Sequence, residues 1–241
     1  MTVAIYWLKL RLYYLVIITL RDFIMKHFLF IALLSVFFYS TQATAKESNW
    51  YIKPTFGISL LSNESAKITD VLEQTGSTNI DVSSGFNAGI GAGYFLNSNW
   101  AVELYWEYRT NDSETTLSDD LVFTDGNFAS SIIATNAYYY FDSHSSWQYF
   151  LGAGLAITQE IDIDLEDANL ERSFSGSGDV GFQLIGGIEY SLNDQLHIQT
   201  EVRYLNFSDI EMDAEENVTI GSFSSVNYTP VSLQVNLLYM F

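Results

Sequence analysis

The chain ends in a strict alternation. Val231, Leu233, Val235, Leu237, Tyr239 and Phe241 occupy every second position, with Ser232, Gln234 and Asn236 between them. A period of two puts the two sets on opposite faces of one β-strand. The apolar face runs unbroken to the final residue, where chains normally fray into water. Such a face is what every strand of a barrel in a lipid bilayer must present.

The alternation recurs along the chain. Trp50, Ile52, Pro54, Phe56, Ile58 and Leu60 share one face, opposite Tyr51, Lys53, Thr55, Gly57 and Ser59. Further strands are expected at about 85–96, 100–110, 127–141, 147–158, 180–190 and 196–204, making eight with the last. The phase of 127–141 is ambiguous: Asn136 pointing inward favours Ile133, Ala137, Tyr139 and Phe141 outside, whereas Phe128, Ile132, Tyr138 and Tyr140 favour the reverse. Short turn-like connections (97–99, 142–146, 191–195) alternate with long polar ones at 61–84, 111–126, 158–179 and 206–227. In an up-and-down barrel the two kinds fall at opposite ends, with both termini at the short-turn end. The four long stretches are expected as loops and carry net charges of −3, −5, −6 and −5. Nearly all the net charge would thus crowd one rim.

The N-terminus reads as a targeting region. Met25-Lys26-His27, an apolar run from Phe28 to Phe38 and an ending at Ala43-Thr44-Ala45 fit a secretory signal peptide at 25–45. Residues 1–24 precede that complete signal and read as a mis-assigned start, the alternative being an extra hydrophobic helix. The domain after cleavage is expected to be 46–241. The chain has no Cys, so no disulfide framework exists in any compartment. Its formal net charge of −19 argues against nucleic-acid binding and against docking on anionic lipid.

Alternation alone does not separate a membrane barrel from a soluble calyx of the lipocalin kind, because the two exchange faces. Glycines decide it. Gly85, Gly89, Gly91, Gly93, Gly152, Gly154, Gly181 and Gly187 lie on the non-apolar face. A solvated strand face gains nothing from Gly, whereas a narrow interior filled by side chains needs small residues. Trp50, Trp100, Tyr108, Trp147, Tyr190, Tyr204, Tyr239 and Phe241 fall near strand ends on the apolar face, as interfacial girdles do.

The ending Leu237-Leu238-Tyr239-Met240-Phe241 resembles the C-terminal strand of bacterial outer-membrane β-barrel proteins. The stretches Gly89 to Tyr94, Trp100 to Leu104 and His197 to Tyr204 resemble strands of the small OmpA-like and OmpX-like barrels, with the OmpW family the second match. The resemblance implies an all-β, eight-stranded antiparallel transmembrane barrel in the outer membrane of a Gram-negative bacterium. It also implies that Tyr239 and Phe241 form the signal read by the barrel assembly machinery, and that outer-membrane lipid surrounds the wall.

Lys53, Glu103, Glu107, Arg109, Glu189, Glu201 and Arg203 fall on inward faces. Buried charges must be paired, and the interior of an eight-stranded barrel is about filled by side chains. The set is therefore expected to be an ion-pair network plugging the barrel, the alternative being the lining of a small-solute pore. Four Glu against two Arg and one Lys leave an acid excess. The run Asp162 to Asp167 lacks the Gly and spacing of an EF-hand and is expected to hold at most loose divalent cations bridging to lipid headgroups. His144 and His197 have no serine motif beside them, so neither catalysis nor a cofactor is expected.

Overall fold

The computed structural model describes residues 49–69, 75–117, 122–167, 170–215 and 221–241. The expected signal peptide and the stretch before it lie outside these. Eleven strand segments follow in order: β1 (Trp50–Leu60), β2 (Glu64–Thr69), β3 (Thr75–Phe95), β4 (Trp100–Thr116), β5 (Val122–Tyr140), β6 (Trp147–Asp167), β7 (Leu170–Gly176), β8 (Val180–Ser191), β9 (Leu196–Ala214), β10 (Ser222–Tyr228) and β11 (Val231–Met240). All their pairings are antiparallel.

The segments close into two stacked rings that share five long strands, β3, β4, β5, β6 and β9. In the lower ring β1, β3, β4, β5, β6, β8, β9 and β11 pair in turn, and β11 returns to β1. In the upper ring β2, β7 and β10 stand in for β1, β8 and β11. The interrupted staves break at 61–63, 177–179 and 229–230, where Gly178 (φ 87°) and Pro230 cannot continue a ladder as ordinary residues would. The whole is an eight-stave antiparallel barrel without a free edge. The last strand seals it as the sequence suggests, with Gly57 opposite Gln234 and Leu60 opposite Val231.

The short connections behave as expected. Asn97 Oδ1 accepts from the backbone N–H of Asn99 and Trp100, and Asn193 Oδ1 from those of Gln195 and Leu196, the same side-chain-capped turn twice. Both described ends of the chain join this level, Phe95 N donating to Asn49 O and Phe241 N to Trp50 O. The ambiguous strand resolves with Ile133, Thr135, Ala137 and Phe141 outward and Asn136, Tyr138 and Tyr140 inward.

The long connections differ from expectation. Most of 64–69, 75–84, 111–116, 122–126, 159–167, 170–176, 206–214 and 222–227 is strand, and it extends the barrel above the apolar belt. Polar composition suggested loops, but the apolar residues hidden in these stretches alternate too, in the opposite phase. Bulges set that phase. On β6, Thr158 pairs with Ile132 but Glu160 pairs with Ser131, so Gln159 is an extra residue. Below it Leu151, Leu155 and Ile157 face out; above it Ile161, Ile163 and Leu165 face in and are fully buried. One extra residue turns every later side chain to the other face. β3 shifts register between Val82 and Gly85. β9 shifts at Asp209 (φ 60°), carrying Ile210 and Met212 inside after Leu205 and Phe207. On β4 the alternation of faces holds throughout, the extra residues lying on its neighbours, and composition does the work: outward Trp106 and Tyr108 give way to Asp112 and Glu114.

Candidate functional site

The interior is layered. At the turn end Tyr51, Tyr138, Tyr140, Phe150, Ile185 and Leu238 form an aromatic-rich floor. Glycines make room for it: a Cβ on Gly187 would lie 2.5 Å from Phe150 Cζ. Above the floor lie charges. Lys53 Nζ is 2.9 Å from Glu103 Oε2 and 3.7 Å from Glu201 Oε2. Arg203 Nη2 is 2.7 Å from Glu201 Oε1, and Arg109 Nη2 is 2.6 Å from Glu107 Oε1. All six are essentially inaccessible, at 0–2% exposure. Six of the seven charged residues expected inside thus fall in two ion-paired groups, Lys53, Glu103, Glu201 and Arg203 in one and Glu107 with Arg109 in the other, with Tyr105 between them.

The carboxylates are held by more than the cations. Glu107 Oε2 accepts from Tyr105 OH, Asn87 Nδ2 and Gln234 Nε2 at 2.8, 2.9 and 2.7 Å. Glu103 accepts from Tyr138 OH at 2.8 Å, Tyr51 OH at 3.2 Å and Asn136 Nδ2 at 3.1 Å. The Arg203 guanidinium lies 4.0 Å over the Tyr105 ring and donates to Gln183 Oε1 at 3.1 Å. These phenols and amides are the members that charge counting missed. Their inward register was readable, but period two does not say which inward neighbours meet across the lumen.

Glu189, the seventh, stands apart. It lies lower, where Oε1 is 2.7 Å from His197 Nδ1 and Oε2 accepts from Gln199 Nε2 at 2.7 Å. The central charges therefore balance, three carboxylates against three cations, and the fourth carboxylate has an imidazole of its own. This replaces the acid excess read from the sequence, which left His197 out of the count. Ser191 Oγ also meets Nδ1, at 3.0 Å. In a serine–histidine–acid relay the hydroxyl and carboxylate sit on opposite ring nitrogens. Here they share one, so the group is an anchoring contact and not a relay.

The upper ring has the inverse build. Ile80, Phe123, Phe128, Ile161, Ile163, Phe174, Phe207, Ile210, Met212, Phe223 and Val226 fill it and are fully buried. Outside stand Asp112, Glu114, Asp125, Glu160, Asp162, Asp164, Glu166, Glu211 and Asp213. An open groove of about 760 Å³ on this wall is lined by Asp81, Asp112, Glu114, Asp125 and Glu166, among others. Partial burial, with Asp164, Glu160 and Glu215 nearby, pushes the Asp162 carboxyl up to about 6. Among the described residues no three acidic or imidazole side chains are placed to hold a metal ion together.

The outer surface of the lower ring is apolar, carrying exposed Phe56, Ile58, Leu104, Leu151, Leu155, Leu184, Val202, Leu233 and Val235. Cross-strand aromatic pairs ring its base: Trp50 with Tyr94, Trp100 with Tyr139 and Trp147 with Tyr190, at centroid distances of 5.0, 5.0 and 4.6 Å. Tyr239 and Phe241 stack edge-on at 5.4 Å in the same girdle.

The sequence matches the outer membrane protein beta-barrel domain family over residues 29–241. It matches no curated protein. Among solved structures it is similar to the outer membrane protein OprG of Pseudomonas aeruginosa (16% identity, TM-score 0.57, covering 81% of this chain and 98% of that one). It is also similar to Neisserial surface protein A (17%, 0.48, 82% and 100%) and to the outer membrane protein AlkL (16%, 0.48, 83% and 94%). At such identities the likeness to OprG shows the fold alone.

Proposed function

The chain belongs to the outer membrane protein beta-barrel domain family, and we propose that it serves there as a closed, non-catalytic barrel whose work is done by its acidic outer wall. One observation carries this reading: the lumen is filled twice, by a charge-balanced network in the lower ring and by an apolar core in the upper one. An ion path would have to break buried ion pairs, each costing several kcal/mol, and then open a dry core. Planar-bilayer recording of the purified barrel tests it. A silent bilayer is the expected result; steady, discrete openings would give the pore reading instead.

The belt of the lower ring meets outer-membrane lipid, and the upper ring stands clear of it in water. Its carboxylates suit cationic partners or loosely held divalent cations that bridge to lipid headgroups, since no clustered ligand set among the described residues favours a tight metal. Tyr239 and Phe241, outward at the base, suit recognition by the barrel assembly machinery as the strand arrives.

A further inference from the structure

The turn end of the barrel is short of cations. The connections 97–99, 142–146 and 191–195 carry Asp142 and Asp194 and no Lys or Arg. Lys53 is buried above the aromatic floor and committed to Glu103 and Glu201. Between these turns lies a pocket of about 350 Å³, lined by Glu189, Asp194 and His197 and by the apolar Phe95, Leu238 and Met240, among others. The aromatic floor backs it: Leu238 belongs to that cluster, and Phe95 and Met240 pack against it.

Glu189 is the unusual member. It is only 4% exposed, yet it lines the pocket. A carboxylate offers about four acceptor sites. Two are taken, by His197 Nδ1 and Gln199 Nε2, both at 2.7 Å. Asp194 is exposed beside it. Two carboxylates thus share the pocket with one imidazole, and the pocket is net negative whether or not His197 carries a second proton. An anion is repelled, and a neutral guest leaves that charge unmatched. A metal ion does not suit the place either, because among the described residues no three acidic or imidazole side chains are set to hold one. An ammonium group on a short alkyl stem suits all of the lining. Its N–H groups donate to carboxylate oxygens, and its stem lies on apolar side chains.

We propose that this pocket is a binding site for a primary ammonium on a short alkyl stem, the chemistry shared by free alkyl diamines and the lysine side chain. Glu189 is the buried anchor. Asp194 is the outer charge that draws the cation in, and Phe95, Leu238 and Met240 hold the stem. In an outer-membrane barrel the short turns face the periplasm, so the guest comes from that side. The site lies at the other end from the acidic outer wall and stands whether or not the barrel conducts ions.

An NMR titration of the refolded barrel in micelles with n-butylammonium, and with 1-butanol as its uncharged counterpart, is the test. Saturable shifts of the Asp194, His197 and Met240 amides are expected with the ammonium, while belt residues such as Leu155 do not follow. The alcohol should bind about tenfold more weakly or worse. No saturable shift with the ammonium, or equal binding of the alcohol, overturns the proposal. Glu189→Gln should abolish the response while heat-modifiable gel migration shows the barrel intact. If that variant does not fold, Asp194→Asn, in an exposed turn, should weaken binding about two- to fivefold, and an unchanged affinity there counts against the site. Cadaverine and N-acetyl-lysine methylamide then separate the sources. Tighter binding of the first assigns a free amine, tighter binding of the second a lysine displayed by a partner, and either result supports the site.

Discussion

The lower and upper rings are built from the same staves and have opposite insides. Below, lipid-facing Leu, Val and Trp surround a lumen of Glu, Arg, Lys and amides; above, acidic residues surround Phe, Ile and Met. The backbone pattern is common to both, so the surroundings decide the polarity. In hydrocarbon an apolar wall is required and the lumen can be polar if every charge is matched. In water the wall can be charged, and the hydrophobic effect fills the centre. What joins the two solutions is a set of one-residue register shifts at about the same height.

Overriding the phase that such a shift sets should break the comparison most severely. Deleting Gln159 and Glu160 together would join inward Thr158 to Ile161 in one alternation, turning Asp162, Asp164 and Glu166 inward and Ile161, Ile163 and Leu165 outward, whereas deleting Gln159 alone should heal the bulge and leave these faces as they are. The upper ring should fail to form, because each buried unpaired carboxylate costs several kcal/mol. Limited proteolysis would then cut within the upper ring, while the lower ring, if the chain still assembles, keeps its heat-modifiable migration.

Breaking the lower network comes next. Glu107→Leu strands Arg109 and three donors, and should cost about 3–5 kcal/mol, read as a fall in the urea midpoint. The double variant Glu107→Leu, Arg109→Met should recover a good part of it. If the double variant is as weak as the single one, the penalty is not that of an orphaned charge.

A smaller, pH-dependent effect separates the two halves. The folded Asp162 carboxyl titrates at about 6, above its unfolded value of about 3.9. The folded state thus holds the proton more tightly, and its contribution is fully present below pH ~4 and lost as pH rises through ~6. For a group this exposed, screening reduces the effect to roughly 1 kcal/mol. Hydrogen exchange of the β6–β7 ladder should therefore quicken between pH 4 and 7 beyond its intrinsic rise, and Asp162→Asn should remove the excess. An unchanged profile in the variant would place the slope on Glu160, Asp164 or Glu215. The smallest expected change is Arg172→Ala. It removes a guanidinium 5.5 Å from the Phe123 ring centre and should cost about 0.5–1 kcal/mol, in the upper ring alone.

Period two, read at Val231 to Phe241 and repeated along the chain from Trp50 to Leu60 onward, was enough to derive an antiparallel barrel, its strand number and the strand that closes it; the lipid face needed the glycines on the other face, such as Gly89 and Gly91, as well. The same period placed Lys53, Glu103, Glu107, Arg109, Glu201 and Arg203 inside, because alternation needs no knowledge of partners. It did not find the upper ring. There the acidic residues outnumber the apolar ones, and a bulge such as Gln159 breaks the count that a periodic reading depends on. Nor did it show that His197 attends Glu189, or that Tyr105 and Gln234, on different staves, share the oxygen of Glu107. Those are contacts across the lumen or between staves, fixed by shear and by the bulges. A strand's own residues determine which way each side chain points; only the closed barrel decides what it points at.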